Sequence, residues 1–258
     1  MYFWDYSFDT PQANLAFDEA ILEYIDSLEA GDWELLRLWE MPSPCVVVGR
    51  SSKLSLEVNQ EACQQDGIPI FRRMSGGASI VAGPGCQMFS VLLSLKQRPE
   101  CRGLDGAHQC VMSRIQRAVQ SALGNVGSNC QVSIQGICDL TIDGRKISGN
   151  ALRLKRHWLM YHGTLLVDMP LEWIHRYLLE PPKQPEYRAH REHREFVESL
   201  GPNLPDPSKF VREFHRACQS QWDAHERWEE HPFAREYPAI MPLWLERRYN
   251  DSAWHRQR

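Results

Sequence analysis

The stretch RRMSGGASIVAGPG, residues 72–85, sets two guanidiniums and a serine hydroxyl beside a backbone stripped of side chains at Gly76 and Gly77. Glycine admits positive φ and lets a ligand approach the chain closely. Consecutive N–H groups in such a loop can form an anion-binding concavity. Arg72 and Arg73 end a strand, where alternation sends them to opposite faces, so at most one of them faces the concavity. A guanidinium there suits a carboxylate or a phosphate. The spacing is not G-x-x-x-x-G-K-[ST], which excludes a P-loop. Taken alone, the stretch also reads as a plain loop with solvated arginines.

A second cluster is DGRKISGNA, residues 143–151, followed by HGT at 162–164. Alternation places Lys146 on one face with Ser148 and Asn150. A lysine held there can stabilise negative charge developing on a carboxyl or phosphoryl oxygen. The competing readings are a solvent-facing lysine on a hairpin and, for His162, a hydrogen-bonded core histidine. The eight cysteines are scattered and form no C-x-x-C pair, so they read as reduced thiols rather than a metal or disulfide framework.

These residues need elements to position them. Thr10-Pro11 starts a helix carrying Phe17, Ile21, Ile25 and Leu28, with a stop at Gly31. ELLRLWE and PCVVVGR read as strands around a Pro-Ser-Pro turn at 42–44. LEVNQEACQQDG reads as one short helix closed by Gly67, and IPIFRR as the strand that enters the glycine loop. QMFSVLLSL is apolar enough for burial on both faces. A helix follows at 106–124 with Val111, Ile115, Val119 and Leu123 on one side. Residues 138–169 then give strand, Asp-Gly turn, strand, cationic connection and strand. Residues 180–195 look like a Pro- and His/Arg-rich surface loop, and Asp206-Pro207 opens a helix with Phe210, Phe214 and Trp222. Neighbouring strands on tight turns argue for α+β, or α/β with a mixed sheet.

The 258 residues carry a formal charge of −4, so no basic field points to nucleic acid. The opening MYFWDYSFDT has neither the cationic region nor the apolar core of a signal peptide. No apolar run approaches the ~20 residues of a membrane span. The expectation is a cytoplasmic protein without nucleic-acid or membrane partners.

Together the motifs resemble the lipoate–protein ligases and octanoyltransferases, relatives of biotin–protein ligase. RRMSGG, CDLTIDGRKISGNA and HGTLL carry the resemblance, supported by NLAFDEAIL, VVVGR and the terminal LERRYNDSAW. The resemblance implies a mixed, largely antiparallel sheet flanked by helices, of the class II synthetase and biotin-ligase type. It implies one catalytic domain over 1–258, with a surface loop region at 180–200, a helical extension at 205–258 and no accessory C-terminal domain. The implied activity joins lipoyl or octanoyl groups to a lysine of a lipoyl-domain protein, of E2 or glycine-cleavage H type, through an acyl-adenylate made from ATP.

In that scheme Lys146 is catalytic. Arg72, Arg73, Ser75, Gly76, Gly77, Ala78, Asp139, Ser148, Gly149, Asn150, His162, Gly163 and Thr164 bind the acyl group or adenylate, and Asp139 would also hold Mg2+. YRAHREHR at 187–194 is either a docking patch for an acidic acceptor or a solvated loop. The ligases continue after the double glycine with Gly-Ala-Val-x-His-Asp-x-Gly-Asn, whereas this chain has Ala78, Ala82, Gly83 and Cys86 at the departing positions. Two alternatives therefore stand beside the ligase. One is a transferase taking an acyl-thioester, as from acyl carrier protein, onto a cysteine: the resemblance makes Cys130 a candidate nucleophile and Cys138 a candidate both for that role and for lining the site, where a thiolate beside Lys146 would have a lowered pKa. The other is a non-catalytic acyl-binding protein. A separate accessory subunit would complement the ligase reading.

Overall fold

The computed structural model describes residues 1–28 and 33–256. In chain order, β1 (Tyr2–Asp5) leads into α1 (Pro11–Ser27), β2 (Leu35–Glu40), β3 (Cys45–Val48), the short helices α2 (Leu54–Glu57) and α3 (Gln60–Gln65), β4 (Ile70–Arg72), β5 (Ile80–Ala82) and β6 (Cys86–Ser94). Helix α4 (Leu104–Asn125) precedes β7 (Ser133–Gln135), β8 (Asp139–Ile142), β9 (Arg145–Ser148), β10 (Asn150–Leu154) and β11 (Trp158–Leu166). Then come α5 (Glu172–Tyr177), α6 (His193–Phe196), α7 (Pro207–Trp222), β12 (Glu226–Arg227), α8 (Tyr237–Trp244) and α9 (Ser252–His255).

The fold is α/β with a mixed, largely antiparallel main sheet in the order β10-β11-β6-β2-β1-β12. Its centre is the antiparallel pairing of β6 with β11 and β2, while β1 pairs parallel with β2 and β12. Alternation along the central strands creates two cores. Phe89, Val91 and Leu93, with Leu159, Tyr161 and Leu165, face α4 and α7. Met88 and Leu92, with Trp158, Met160 and Leu166, face α1. The same parity turns Ser90, His162 and Thr164 toward the α1 side, so polar groups enter that core by register.

Thr10 caps α1 by accepting from Ala13 N–H, and Pro11 occupies its first turn. The expected stop at Gly31 lies outside the described residues. Helix α4 buries Val111, Ile115, Val119 and Leu123 completely. Asp143 and Gly144 both take positive φ in the hairpin turn between β8 and β9.

Several expectations change. The strands around Pro42–Pro44 do not pair with each other: β2 enters the main sheet, while β3 centres a second sheet, β4-β3-β5. LEVNQEACQQDG is not one helix, because Val58 leaves helical geometry to bridge Leu178 and Asn59 caps a new helix. The strand after the Asp-Gly turn breaks at Gly149, so β9 stays with β7 and β8 while β10 joins β11.

Residues 180–195 run largely along the surface with Arg188 buried, whereas Phe196, Val197 and Leu200 pack inward and Val197 bridges Lys146. After α7, the C-terminal stretch is not helical throughout, since β12 extends the main sheet beside β1.

Candidate functional site

The glycine loop hangs between β4 and β5. Arg72 and Arg73 diverge as alternation requires. Arg72 turns away and donates through Nη1 to the carbonyls of Gly49, Arg50 and Ser52 at 2.7, 3.2 and 3.0 Å. Arg73 turns under the loop and donates to Ser75 Oγ at 3.0 Å, Val47 O at 3.2 Å, Gly76 O at 2.6 Å and Ala78 O at 3.0 Å. Its guanidinium is thus the template on which the loop is wrapped. Burial lowers its pKa to about 10, a shift that Glu57 opposes; it remains cationic at neutral pH.

Only Gly77 of the two loop glycines takes positive φ, +87°, and a Cβ there would sit 3.0 Å from Arg73 Nη2. Gly49 is equally constrained, because its Cβ would lie 2.0 Å from Gly77 O. Glu57 completes the anchoring by accepting from Ser79 N–H and Oγ–H at 2.7 and 2.8 Å.

Behind the loop runs a buried polar chain. Ser75 Oγ lies 2.5 Å from His162 Nε2, and His162 Nδ1 lies 3.8 Å from Asp18 Oδ2. Ser75 Oγ thus accepts from Arg73 and shares a hydrogen with His162 Nε2, while the other ring nitrogen of His162 faces Asp18. Asp18 also accepts from Ser90 Oγ at 2.5 Å and Arg37 Nη1 at 3.0 Å. Burial alone would raise the Asp18 carboxyl, but His162 and Arg37 together hold it below its ordinary value. The Asp-His-Ser order is that of a hydrolytic triad. Here, however, Ser75 is 1% exposed and its oxygen is occupied, so the chain positions the loop and does not attack.

The opposite wall carries Lys146. Its ammonium pairs with Asp139 Oδ1 at 2.8 Å, and Tyr187 donates to Asp139 Oδ2 at 2.7 Å. With three donors and one carboxylate partner, Lys146 keeps hydrogens for a ligand. Gly149 makes room for it, since a Cβ there would lie 3.2 Å from Nζ. Thr164 holds the strand break by bonding both Gly149 N and O at 3.2 Å. Asn150 donates to Cys138 O at 2.6 Å and Ser148 Oγ at 3.1 Å, and its buried Oδ1 has no partner among the described residues. A Cβ on Gly163 would fall 1.8 Å from that Oδ1.

The two walls enclose two adjoining cavities. One, of about 100 Å³, runs from Arg73, Gly77 and His162 to the apolar side chains of Leu15, Trp39, Val47 and Met88. The other, of about 130 Å³, lies under residues 180–200 and meets Ser148, Lys183, Arg188 and His193. Ala78, Ser79, Ile80, Lys146, Gly149 and Thr164 line both, so Lys146 stands where they join. A larger cavity, about 650 Å³, lies by α3 and α9. Its one thiol among the described residues, Cys63, is pushed up to about 11, chiefly by burial. The smaller pair is where charged groups converge.

Several expectations need correction. Asp139 bonds Lys146 through Oδ1 and Tyr187 through Oδ2, so a Mg2+ ion there would share the carboxylate with an ammonium. Cys138 lies behind Asn150, its thiol 3.5 Å from the Asn150 carbonyl. Burial pushes that thiol up to about 11 despite Lys146, so it is no activated nucleophile. Cys130 lines neither cavity and packs beside α4, where its carbonyl accepts from Gln120 at 2.9 Å. Arg72 lies outside both cavities. Ala82 and Cys86 are fully buried, and Gly83 packs on Pro44 and Trp173.

Asp18, Arg37, Gly49, Glu57 and Tyr187 were not singled out from sequence. Asn14 and Asp18, four apart in register with Leu22, and Arg37 inside LLRLW, are polar residues on apolar faces. That is the signal that could have found two of them.

A family model described as the lipoyl protein ligase A/B catalytic domain matches residues 10–221. Among curated relatives, lipoate-protein ligase LplJ of Bacillus subtilis is 27% identical over 64% of this chain and 45% of its own length. The chain spans about half the length of the curated relatives it matches. A structure from Thermoplasma acidophilum, of a bi-partite lipoate protein ligase and its E2 lipoyl domain, aligns with a TM-score of 0.78 at 20% identity, covering 100% of this chain and 97% of that one. A lipoate-protein ligase A bound with ATP aligns at 0.75 with 19% identity over 99% and 98%. These likenesses establish the fold.

Proposed function

We propose, from the premise that this chain belongs to the lipoyl protein ligase A/B catalytic-domain family, that it is a cytoplasmic lipoate–protein ligase whose residues 1–258 act as one catalytic unit. It joins a lipoyl or octanoyl group to a lysine of a lipoyl-domain protein, of E2 or glycine-cleavage H type. The observation that carries this reading is the pair of cavities meeting at Lys146. One is lined by apolar side chains and ends at buried donors; the other is rimmed by Lys183, Arg188 and Lys146. The first suits an acyl chain and the second a phosphate.

The chemistry follows in two steps. The acyl carboxylate attacks the α-phosphorus of ATP, and the bond to pyrophosphate breaks, giving acyl-AMP. The acceptor amine then attacks the acyl carbonyl, the carbonyl–phosphate bond breaks, AMP leaves, and the amine loses a proton. Lys146 stabilises the charge that grows first on the phosphoryl oxygens and then on the carbonyl oxygen. Asp139 and Tyr187 fix its ammonium, and Arg73 shapes the loop against which the acyl end lies. The transferase alternative lacks an activated thiol at Lys146.

Because the chain spans about half its relatives' length, the steps are tested separately. Full-length protein is incubated with an apo lipoyl domain and synthetic lipoyl-AMP, and separately with lipoate plus ATP, and the acceptor is read by intact mass. Transfer from lipoyl-AMP that is lost in Lys146→Ala is the expected result. If that arm succeeds and the ATP arm needs a second polypeptide, adenylation is completed by an accessory subunit. Transfer from octanoyl-carrier protein without ATP, abolished by Cys130→Ser or Cys138→Ser, would overturn the reading.

A further inference from the structure

Away from both cavities, a turn at Pro99–Arg102 packs on the first turns of α4. Gly106 allows that closeness, since a Cβ there would lie 2.0 Å from Glu100 O. The contact brings the Cys101 and Cys110 sulfurs and a Glu100 carboxylate oxygen within 4.8 Å of one another. Cys101 is wholly buried and Cys110 is 8% exposed, so the pair sits one layer below the surface.

The surroundings are cationic. Arg114 donates through Nη1 to Cys110 Sγ at 3.0 Å and to Cys110 O at 2.8 Å. Arg98 is held bidentate by Glu34, and the Arg98 and Arg114 guanidiniums lie 5.5 and 4.9 Å from the Trp222 ring. Trp222 thus fixes both cations. The neighbouring Cys101 thiol, with Arg114 and Arg98, lowers the pKa of Cys110, against the opposing effects of burial and Glu100, while Cys101 is raised. The three ligands could hold a divalent metal, but a guanidinium on the sulfur already supplies the countercharge.

We propose that Cys101 and Cys110 form a redox dithiol, which hydrogen peroxide or another small peroxide converts to a disulfide and a dithiol reductant restores. The Cys110 thiolate attacks one peroxide oxygen and the O–O bond breaks, giving a sulfenic acid and hydroxide, which takes up the Cys101 proton as water. The Cys101 sulfur then attacks the Cys110 sulfur, the S–O bond breaks, and hydroxide leaves to be protonated as a second water. Overall two thiols are oxidised and one peroxide is reduced. This inference does not depend on the ligase reading.

The test exposes the full-length protein to hydrogen peroxide, blocks remaining thiols with N-ethylmaleimide, and digests without reduction. Trypsin cuts after Arg102 and Arg114, which places the two cysteines on separate peptides. The expected product is those peptides joined, lighter by two hydrogens, and separated by dithiothreitol. In Cys101→Ser, Cys110 should proceed to the sulfinic acid instead. Arg114→Gln should slow oxidation roughly tenfold, and Arg114→Lys should restore most of the rate. Native Cys110 that stays reduced, or that reaches sulfinic acid without the cross-link, would overturn the proposal. So would one equivalent of zinc retained on dialysis and lost in Cys110→Ser, which would make the cluster a metal site.

Discussion

Arg73 and Lys146 face the same cavity, yet they are held in opposite ways. Arg73 is buried, and its hydrogen bonds to Ser75 and three backbone carbonyls fix the loop behind which Ser75, His162, Asp18 and Arg37 form one connected set. Lys146 is 27% exposed, pairs with one carboxylate, and lies beneath the packed segment 180–200. A buried network fixes geometry because any unpaired member would be costly. A half-exposed ammonium with spare donors costs the fold little and can meet charge that appears only during reaction. One wall defines shape; the other supplies charge.

The contrast is open to direct attack. Asp18→Ala would leave Arg37 buried and uncompensated, which should cost about 3–5 kcal/mol in chemical unfolding. A loss under ~1 kcal/mol would mean that the glycine-loop wall is not held by this network. Lys146→Ala should do the reverse: unfolding nearly unchanged, and transfer from lipoyl-AMP lower by about 10²–10³-fold. Wild-type rates in that variant would remove the lysine from the chemistry. Tyr187→Phe removes one bond to Asp139 and should slow transfer by about tenfold while leaving unfolding within ~1 kcal/mol. An unchanged rate would show that Asp139 alone positions Lys146.

The smallest effect concerns pH. His193, packed over the Lys146 wall, has its pKa lowered from 6.5 mainly by burial, with Arg188, His175 and Lys146 adding to the shift and Glu180 opposing it. Below pH 6.5 the unfolded chain therefore binds a proton that the folded chain resists. The stability His193 contributes is present at neutral pH and fades as pH falls below that value. Unfolding midpoints at pH 7 and pH 5 should converge in His193→Gln relative to the parent. An equal drop in both proteins would assign the acid sensitivity elsewhere.

Local patterning was readable wherever one residue's neighbours in sequence decide its conformation. Thr10-Pro11 capped α1, Asp143-Gly144 turned the hairpin, and the apolar periodicity of α4 and β6 named their buried faces. Alternation also required that Arg72 and Arg73 diverge. It did not say which one would reach the cavity, because that depends on the side of β4 on which the loop folds. Nor did it show that Gly149 would divide one strand between two sheets.

The sequence by itself determined most of the element types, the loop glycines and the motifs of the family, since each is set by short-range sterics and spacing. Tertiary structure decided the rest. It brought Asp18, from one helix, to His162, 144 positions on in the numbering. It folded a polar segment down over Lys146, and it gave Asp139 two partners, Lys146 on Oδ1 and Tyr187 on Oδ2. Those outcomes turn on desolvation and long-range pairing. Burial makes an isolated charge seek a partner, and only the folded chain fixes which partner is within reach.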